Sequence, residues 1–169
     1  MEAIVYTSNT GTTKEYAKLL SDKLSLPYYS LDEIKNKVKP GGKIIYLGWI
    51  MASGVKGYKK VVKDYDVRAV CAVGMGATGT QVKEVRTKNK IPSSIPVFTL
   101  QGGFDVKKLH GIYKIMMTIM VKTAGKGLAN KQDRTQEEDQ MLEMMLHGGK
   151  YVDEKNLKAI LDWYGKRGE

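Results

Sequence analysis

The chain has 169 residues, 42% of them hydrophobic, one cysteine and a formal net charge of +10, the size and composition of a single domain, residues 1–169, with a core of its own. No segment approaches the roughly 20 apolar residues of a membrane-spanning helix and no targeting pattern is recognisable, so a cytoplasmic protein is expected, free or peripheral to the inner membrane face. A lone cysteine excludes an internal disulfide, and lysines spread along the chain without zinc-finger spacing or an aromatic RNA-binding motif argue against nucleic acid as partner.

Apolar bursts alternate with helical patterns, as in a parallel sheet with helical crossovers. "EAIVYT" is the first strand. Thr13, Tyr16, Ala17, Leu20 and Leu24 then recur at intervals of three and four, an apolar stripe for a helix that Pro27 stops. "YYSL" reads as a short second strand, "DEIKNKV" as a helical turn or two and "PGG" as punctuation. "KIIYLGW" is apolar throughout, which suits a third strand covered on both faces. There follow a short amphipathic helix in "VKGYKKVVKDY", a fourth strand in "RAVCAVGM" with Cys71 as a small buried hydrophobe, a polar helix in "GTQVKEVRTKNK" and a fifth strand in "IPVFTL".

About 50 residues separate the fifth strand from the last helix, too many for a plain connection, so an insertion over about 105–149 carries structure of its own. Its first helix, "DVKKLHGIYKIMMTIMVKTAG", sets Leu109, Ile112, Met116, Ile119 and Met120 on one side, widened by Tyr113, Met117 and Val121, and Lys107, Lys114, Thr118 and Lys122 on the other. "KGLANKQDR" reads as a polar, mobile linker. Thr135 and Glu138 have capping-box spacing at the start of a second helix that ends at "HGG". The final helix, "DEKNLKAILDWYGK", has Asp153 as N-cap and is expected to cover the sheet opposite the first helix.

Ligands of an open parallel sheet bind beyond the carboxyl ends of its strands, which nominates three loops. In the first, Thr7, Ser8, Asn9, Thr10, Gly11, Thr12 and Thr13 combine hydroxyl donors, a glycine that permits close approach and a helix N-terminus. That chemistry suits a phosphate monoester. Walker spacing fails, and Lys14 falls in the helix start, facing solvent, so kinase and GTPase readings drop out. A hydroxyl-rich N-cap with no ligand is the alternative. The third loop spells G-x-G-x-x-G from Gly74 to Gly79, but a dinucleotide fold would start before the two βα units that precede it. No nucleophile, acid/base pair or metal-ligand set stands out. His110 and His147 have no ligand spacing, and Glu137, Glu138 and Asp139 form an acidic helix start.

Ile4, Val5, Tyr6, Ser8, Gly11, Thr13, Ala17 and Leu20 stand at the positions of the flavodoxin N-terminal signature, and the chain resembles the flavodoxin-like family. The resemblance implies a three-layer α/β sandwich, a five-stranded parallel sheet in the order 2-1-3-4-5, and flavin mononucleotide (FMN) with its phosphate in the first loop. It implies that the second loop runs along the flavin ring, with Trp49, Ile50, Met51 and Ala52 beside it and a Ser53-Gly54 peptide free to flip. Met75, Gly76, Ala77 and Thr78 would approach the ring edge.

Two features depart from ordinary flavodoxins. Typical members are acidic, whereas this chain is basic, which favours an anionic reduced flavin and predicts a less negative second reduction potential. The basic, apolar insertion helix resembles that of flavodoxin-like, menaquinone-dependent protoporphyrinogen oxidases. A helix of this kind fits an anionic membrane surface through residues 105–124, a quinone or an acidic tetrapyrrole, and its Met and Ile residues equally fit a core or a homodimer seam. The expected function is FMN-dependent electron transfer with a redox partner protein or quinone, either as carrier or as small oxidoreductase. A quinone-linked oxidase and a flavin-free interaction module on the same fold are the alternatives.

Overall fold

Strand β1 (Ala3–Thr7) sends successive side chains to opposite faces of a sheet, and both faces are apolar and covered. The computed structural model describes residues 1–104 and 111–166. Its main sheet runs β2 (Tyr28–Ser30), β1, β3 (Lys43–Met51), β5 (Asp66–Gly74), β6 (Val97–Gln101), with every pair parallel. This is the expected 2-1-3-4-5 order of a flavodoxin-like α/β sandwich. One strand was not anticipated: β4 (Gly54–Val55) folds back antiparallel on the end of β3.

Ala3, Val5, Tyr46, Val70 and Ala72 form one buried layer with Tyr58 and Val61 of α2 (Tyr58–Asp64) and Val85 of α3 (Val82–Asn89). Ile4, Leu47, Cys71, Val73 and Leu100 form the other with Tyr16, Ala17 and Leu20 of α1 (Thr12–Leu24). Ile160 of α6 (Lys158–Gly165) joins this second layer. The last helix therefore lies on the same face as α1, and the expectation that it covers the opposite face is corrected. After the edge strand β6, the apolar surface of β5 and β6 that α1 does not reach is what remains to be buried. A 3-10 turn over Glu154–Leu157 precedes α6, with the Asp153 side chain accepting from the Lys155 amide, so the expected cap is present but opens a tighter helix.

The insertion leaves and returns on two short antiparallel strands, β7 (Gly103–Phe104) and β8 (Gly149–Lys150). Tyr16 holds both ends: its hydroxyl donates to the Gln101 carbonyl at 2.5 Å and accepts from Asn156 Nδ2 at 2.7 Å, while the Tyr151 amide donates to the Gly102 carbonyl at 2.8 Å. Burial raises the pKa of the Tyr16 hydroxyl, against the lowering effect of the Asn156 bond, and keeps it a donor.

Residues 105–110, with Lys107, Leu109 and His110, lie outside the described residues, and so do the side chains of Ile112, Tyr113, Met116, Met117, Met120 and Glu137. The insertion helix α4 (Gly111–Ala129) runs past Gly125 into what reads from sequence as a mobile linker. Arg134 explains the extension, because its Nη1 donates to the carbonyls of Leu128, Ala129 and Lys131 at 3.0 to 3.2 Å and so satisfies the helix end. Ile119, on the apolar side of the sequence pattern, is 57% exposed and Ile115 is 62% exposed, and both share the outer surface with Lys114, Lys122 and Lys126. Helix α5 (Gln136–His147) begins with the expected capping box between Thr135 and Glu138. Its acidic start is also paired, Glu138 with Lys131 at 2.6 Å and Asp139 with Arg134 at 2.6 Å.

Candidate functional site

The three nominated loops leave the carboxyl ends of β1, β3 and β5, which are neighbours in the sheet, so the fold brings them to one edge. The connection after β1 enters α1 on one face and the connection after β3 enters α2 on the other, which opens a crevice between them.

In the first loop the residues divide between structure and solvent. The Thr7 hydroxyl is bonded to the buried Tyr46 hydroxyl at 2.7 Å. The Gly11 amide donates to Ser8 Oγ at 3.2 Å, and Gly11 itself has φ +97 with open space where a Cβ would lie. Thr10 is half-buried, and the Thr12 side chain faces Gly102 and Gly103 across the sheet edge. Helix α1 has no side-chain cap, so its first amides point outward unsatisfied. Beside them, Thr13 Oγ1 and Asn9 Nδ2 are buried without a hydrogen-bond partner, although Thr13 is only 1% exposed. Buried polar atoms are rarely left unpaired. Uncapped amides with two orphaned side-chain groups at a helix N-terminus have the donor chemistry that an oxyanion requires, and a self-satisfied hydroxyl N-cap would have neither. Lys14 is exposed, as expected, and lines a cleft of about 530 Å³ that opens on the β2 side between Ser8, Ser30 and Lys60.

The second loop is a tight hairpin between β3 and β4, with Ala52 (φ +47) and Ser53 (φ +60) both left-handed. Left-handed backbone costs ~1–2 kcal/mol for each non-glycine residue, so the hairpin needs external support. Asn89, at the end of α3 and 7% exposed, supplies it: Oδ1 accepts from the Val55 amide at 2.8 Å and Nδ2 donates to the Ser53 carbonyl at 2.8 Å and the Val85 carbonyl at 2.7 Å. The Ser53-Gly54 peptide is therefore tied to α3 through its carbonyl. Tyr46 braces the other side, donating to the Lys56 carbonyl at 2.5 Å while the Thr7 hydroxyl donates to it. Burial pushes the Tyr46 hydroxyl well above the ordinary tyrosine pKa, with the Thr7 bond opposing. Gly57 (φ +84) lies against this pair, and a Cβ there would meet the Tyr46 hydroxyl and Thr7 Oγ1. Ile50 packs inward on the α2–α3 layer, whereas Trp49 is half-buried on the opposite face of the strand with Lys56 Nζ 5.6 Å from its ring centroid. Met51 is half-buried at the strand end.

The third loop is pinned to β6. Thr78 Oγ1 accepts from the Gln101 amide at 2.9 Å, the Gly79 amide donates to the Thr99 carbonyl at 3.1 Å, and Thr80 Oγ1 donates to the Ala77 carbonyl at 2.7 Å. Its glycines serve packing and turning: Ile50 lies over Gly74, the Gln81 amide lies over Gly76, and Gly79 takes φ +87. Helix α3 begins only at Val82, three residues beyond Gly79, so the glycine pattern does not open a helix as a dinucleotide fingerprint does. Met75, Gly76 and Ala77 are half-buried and line a small pocket that Gln140 of the insertion also reaches.

Asn89, Tyr46, Gly57 and Gln140 were not singled out by sequence reasoning. A tyrosine in an otherwise aliphatic buried strand signals that its hydroxyl has a partner, which makes Tyr46 findable. Asn89 lies within "KNK" and Gln140 within a polar helix turn, where nothing distinguishes them from solvated surface. Among the described residues no group of three His, Cys, Asp or Glu side chains is placed to hold a metal ion, and no helix is long and apolar enough to cross a membrane. His147 stands 3.9 Å from Glu143 on the exposed side of α5.

An open parallel sheet in this strand order, with a switch point beside β1 and an uncapped helix start at that point, defines a flavodoxin-like α/β fold. The chain belongs to the flavodoxin domain family, whose sequence pattern matches residues 3–130. No curated protein and no solved structure matches it.

Proposed function

We propose that this protein binds FMN and takes part in electron transfer, as a carrier or as a small flavin oxidoreductase. The observation that carries the proposal is the pair of buried, unpartnered donors, Thr13 Oγ1 and Asn9 Nδ2, beside the uncapped start of α1 in a flavodoxin domain. The donor set fits a phosphate monoester: hydroxyl, carboxamide and backbone N–H groups, with Gly11 leaving room for close approach. When bound, FMN supplies one- and two-electron chemistry. The chain's own work is to hold and shield it. Asn9, Thr13 and the amides at the start of α1 take the phosphate, Trp49, Met51 and the braced hairpin flank one side of the ring site, and Met75, Gly76 and Ala77 border another. The basic chain stabilises negative charge on the reduced ring, which makes the second reduction step less negative than in an acidic flavodoxin.

FMN titration of the purified protein tests this. Quenching of flavin fluorescence with a rise in melting temperature is the expected result. Thr13→Val should weaken affinity roughly tenfold, as loss of one charge-assisted hydrogen bond does, without lowering the stability of the ligand-free protein. Neither quenching nor stabilisation in the wild type would leave the flavin-free interaction module standing instead.

A second reading, a quinone-linked oxidase acting at an anionic membrane face, is favoured by the exposed Ile115 and Ile119 among Lys114, Lys122 and Lys126 on α4. Flotation with anionic liposomes at low salt supports it if the protein rises with the lipid, and an unbound protein removes it.

A further inference from the structure

Helix α5 lies beyond residues 3–130, the part of the chain that matches the family, yet it reaches back to the third loop. Between them is a pocket of about 70 Å³ bordered by Gly76, Ala77, Thr80, Gln81, Gln101 and Gln140. That is the space of about two water molecules, enough for the polar edge of a ring and too small for the ring. Among the described residues, none of the side chains around it is ionisable. The Thr80 hydroxyl is spent on the Ala77 carbonyl, whereas none of the three glutamine side-chain amides has a hydrogen-bond partner among the described residues. The Gln81 amide already lies over Gly76, where a Cβ would stand 3.4 Å from Nε2.

We propose that Gln140 of the insertion, with Gln81 and Gln101, forms a carboxamide subsite that takes the imide edge of the flavin. The inference rests on the FMN reading above. A flavin's pyrimidine edge presents C2=O, N3–H and C4=O, acceptor, donor and acceptor in one plane and without charge. A carboxamide presents one acceptor and two donors in a plane, also without charge, and so can pair with two adjacent members of that edge. A charged lining would favour an anion or a cation over a neutral imide, and the lining formed by the described residues is neutral. Gln140 is thus a specificity-determining residue contributed by the insertion, and the insertion completes the flavin pocket.

Gln140→Leu and Gln140→Ala, each titrated with FMN and with N3-methyl-FMN, test the assignment. Gln140 is exposed, so melting temperatures of the ligand-free variants should match the wild type. The wild type should bind N3-methyl-FMN roughly tenfold more weakly than FMN, the loss expected of one hydrogen bond. Both variants should bind FMN about tenfold more weakly than the wild type, hold the two flavins with equal affinity, and shift the visible absorption band of bound FMN. Wild-type affinity for FMN in the variants, or losses that multiply between variant and methylation, would overturn the subsite while leaving FMN binding intact. A wild type that binds neither flavin overturns the FMN reading and the subsite with it.

Discussion

Tyr46→Phe removes one oxygen and breaks a relay that joins the first loop to the second. The Tyr46 hydroxyl has one proton, which it donates to the Lys56 carbonyl at 2.5 Å, so the Thr7 hydroxyl donates to Tyr46 at 2.7 Å. Phenylalanine fills nearly the same volume in a position that is fully buried, so little cavity cost arises. The Lys56 carbonyl is left unpaired at about 1–3 kcal/mol, and the Thr7 hydroxyl loses its acceptor but can rotate. A total near 2 kcal/mol should lower the melting temperature by about 4–8 °C in a domain of this size. Amide exchange should quicken at residues 54–57 and FMN affinity should fall severalfold. The variant should also flatten the alkaline decline in stability. Burial holds the folded-state pKa of Tyr46 above the ordinary tyrosine value of 10.0, so the unfolded chain loses its proton first. The contribution is therefore complete below pH 10 and is lost as pH rises beyond it, by up to ~1.4 kcal/mol per pH unit for one group. A thermal midpoint within 1 °C of the wild type, with unchanged exchange at 54–57, would refute the relay.

Asn89→Ala should cost about 2–4 kcal/mol, because the Val55 amide and Ser53 carbonyl both lose their partner in a hairpin already strained at Ala52 and Ser53; denaturant titration measures it, and a cost under 1 kcal/mol would mean the hairpin holds itself. Tyr16→Phe unpairs the Gln101 carbonyl and leaves Asn156 Nδ2 with only the Tyr151 carbonyl as acceptor, with an expected loss of ~1–2 kcal/mol and faster amide exchange at 101–104 and 149–153. Glu138 is held below the ordinary glutamate pKa by Lys131 and then by the Thr135 amide. Its contribution is accordingly present above the ordinary glutamate range and lost as pH falls through the lowered folded-state value. Exchange in the first turn of α5 should rise there, and Thr135→Ala should produce the same fraying at neutral pH.

The local alternation of apolar bursts and helical stripes was enough to read five parallel strands, and the family signature was enough to read their order. Those features are encoded in contiguous residues: a strand's composition, a helix's period and the small side chains of residues 7–13 act within a few positions of one another. What the tertiary structure alone decided is long-range. The last helix joined the face that α1 covers because the part of that face over β5 and β6 remained to be buried. The brace on the second loop comes from Asn89, 34 positions from Val55 and 36 from Ser53, and the pocket beside the third loop includes Gln140, over 60 positions from Gly76. Polar side chains of this kind gain their meaning from the partner the fold delivers to them, and a linear pattern holds no record of that partner.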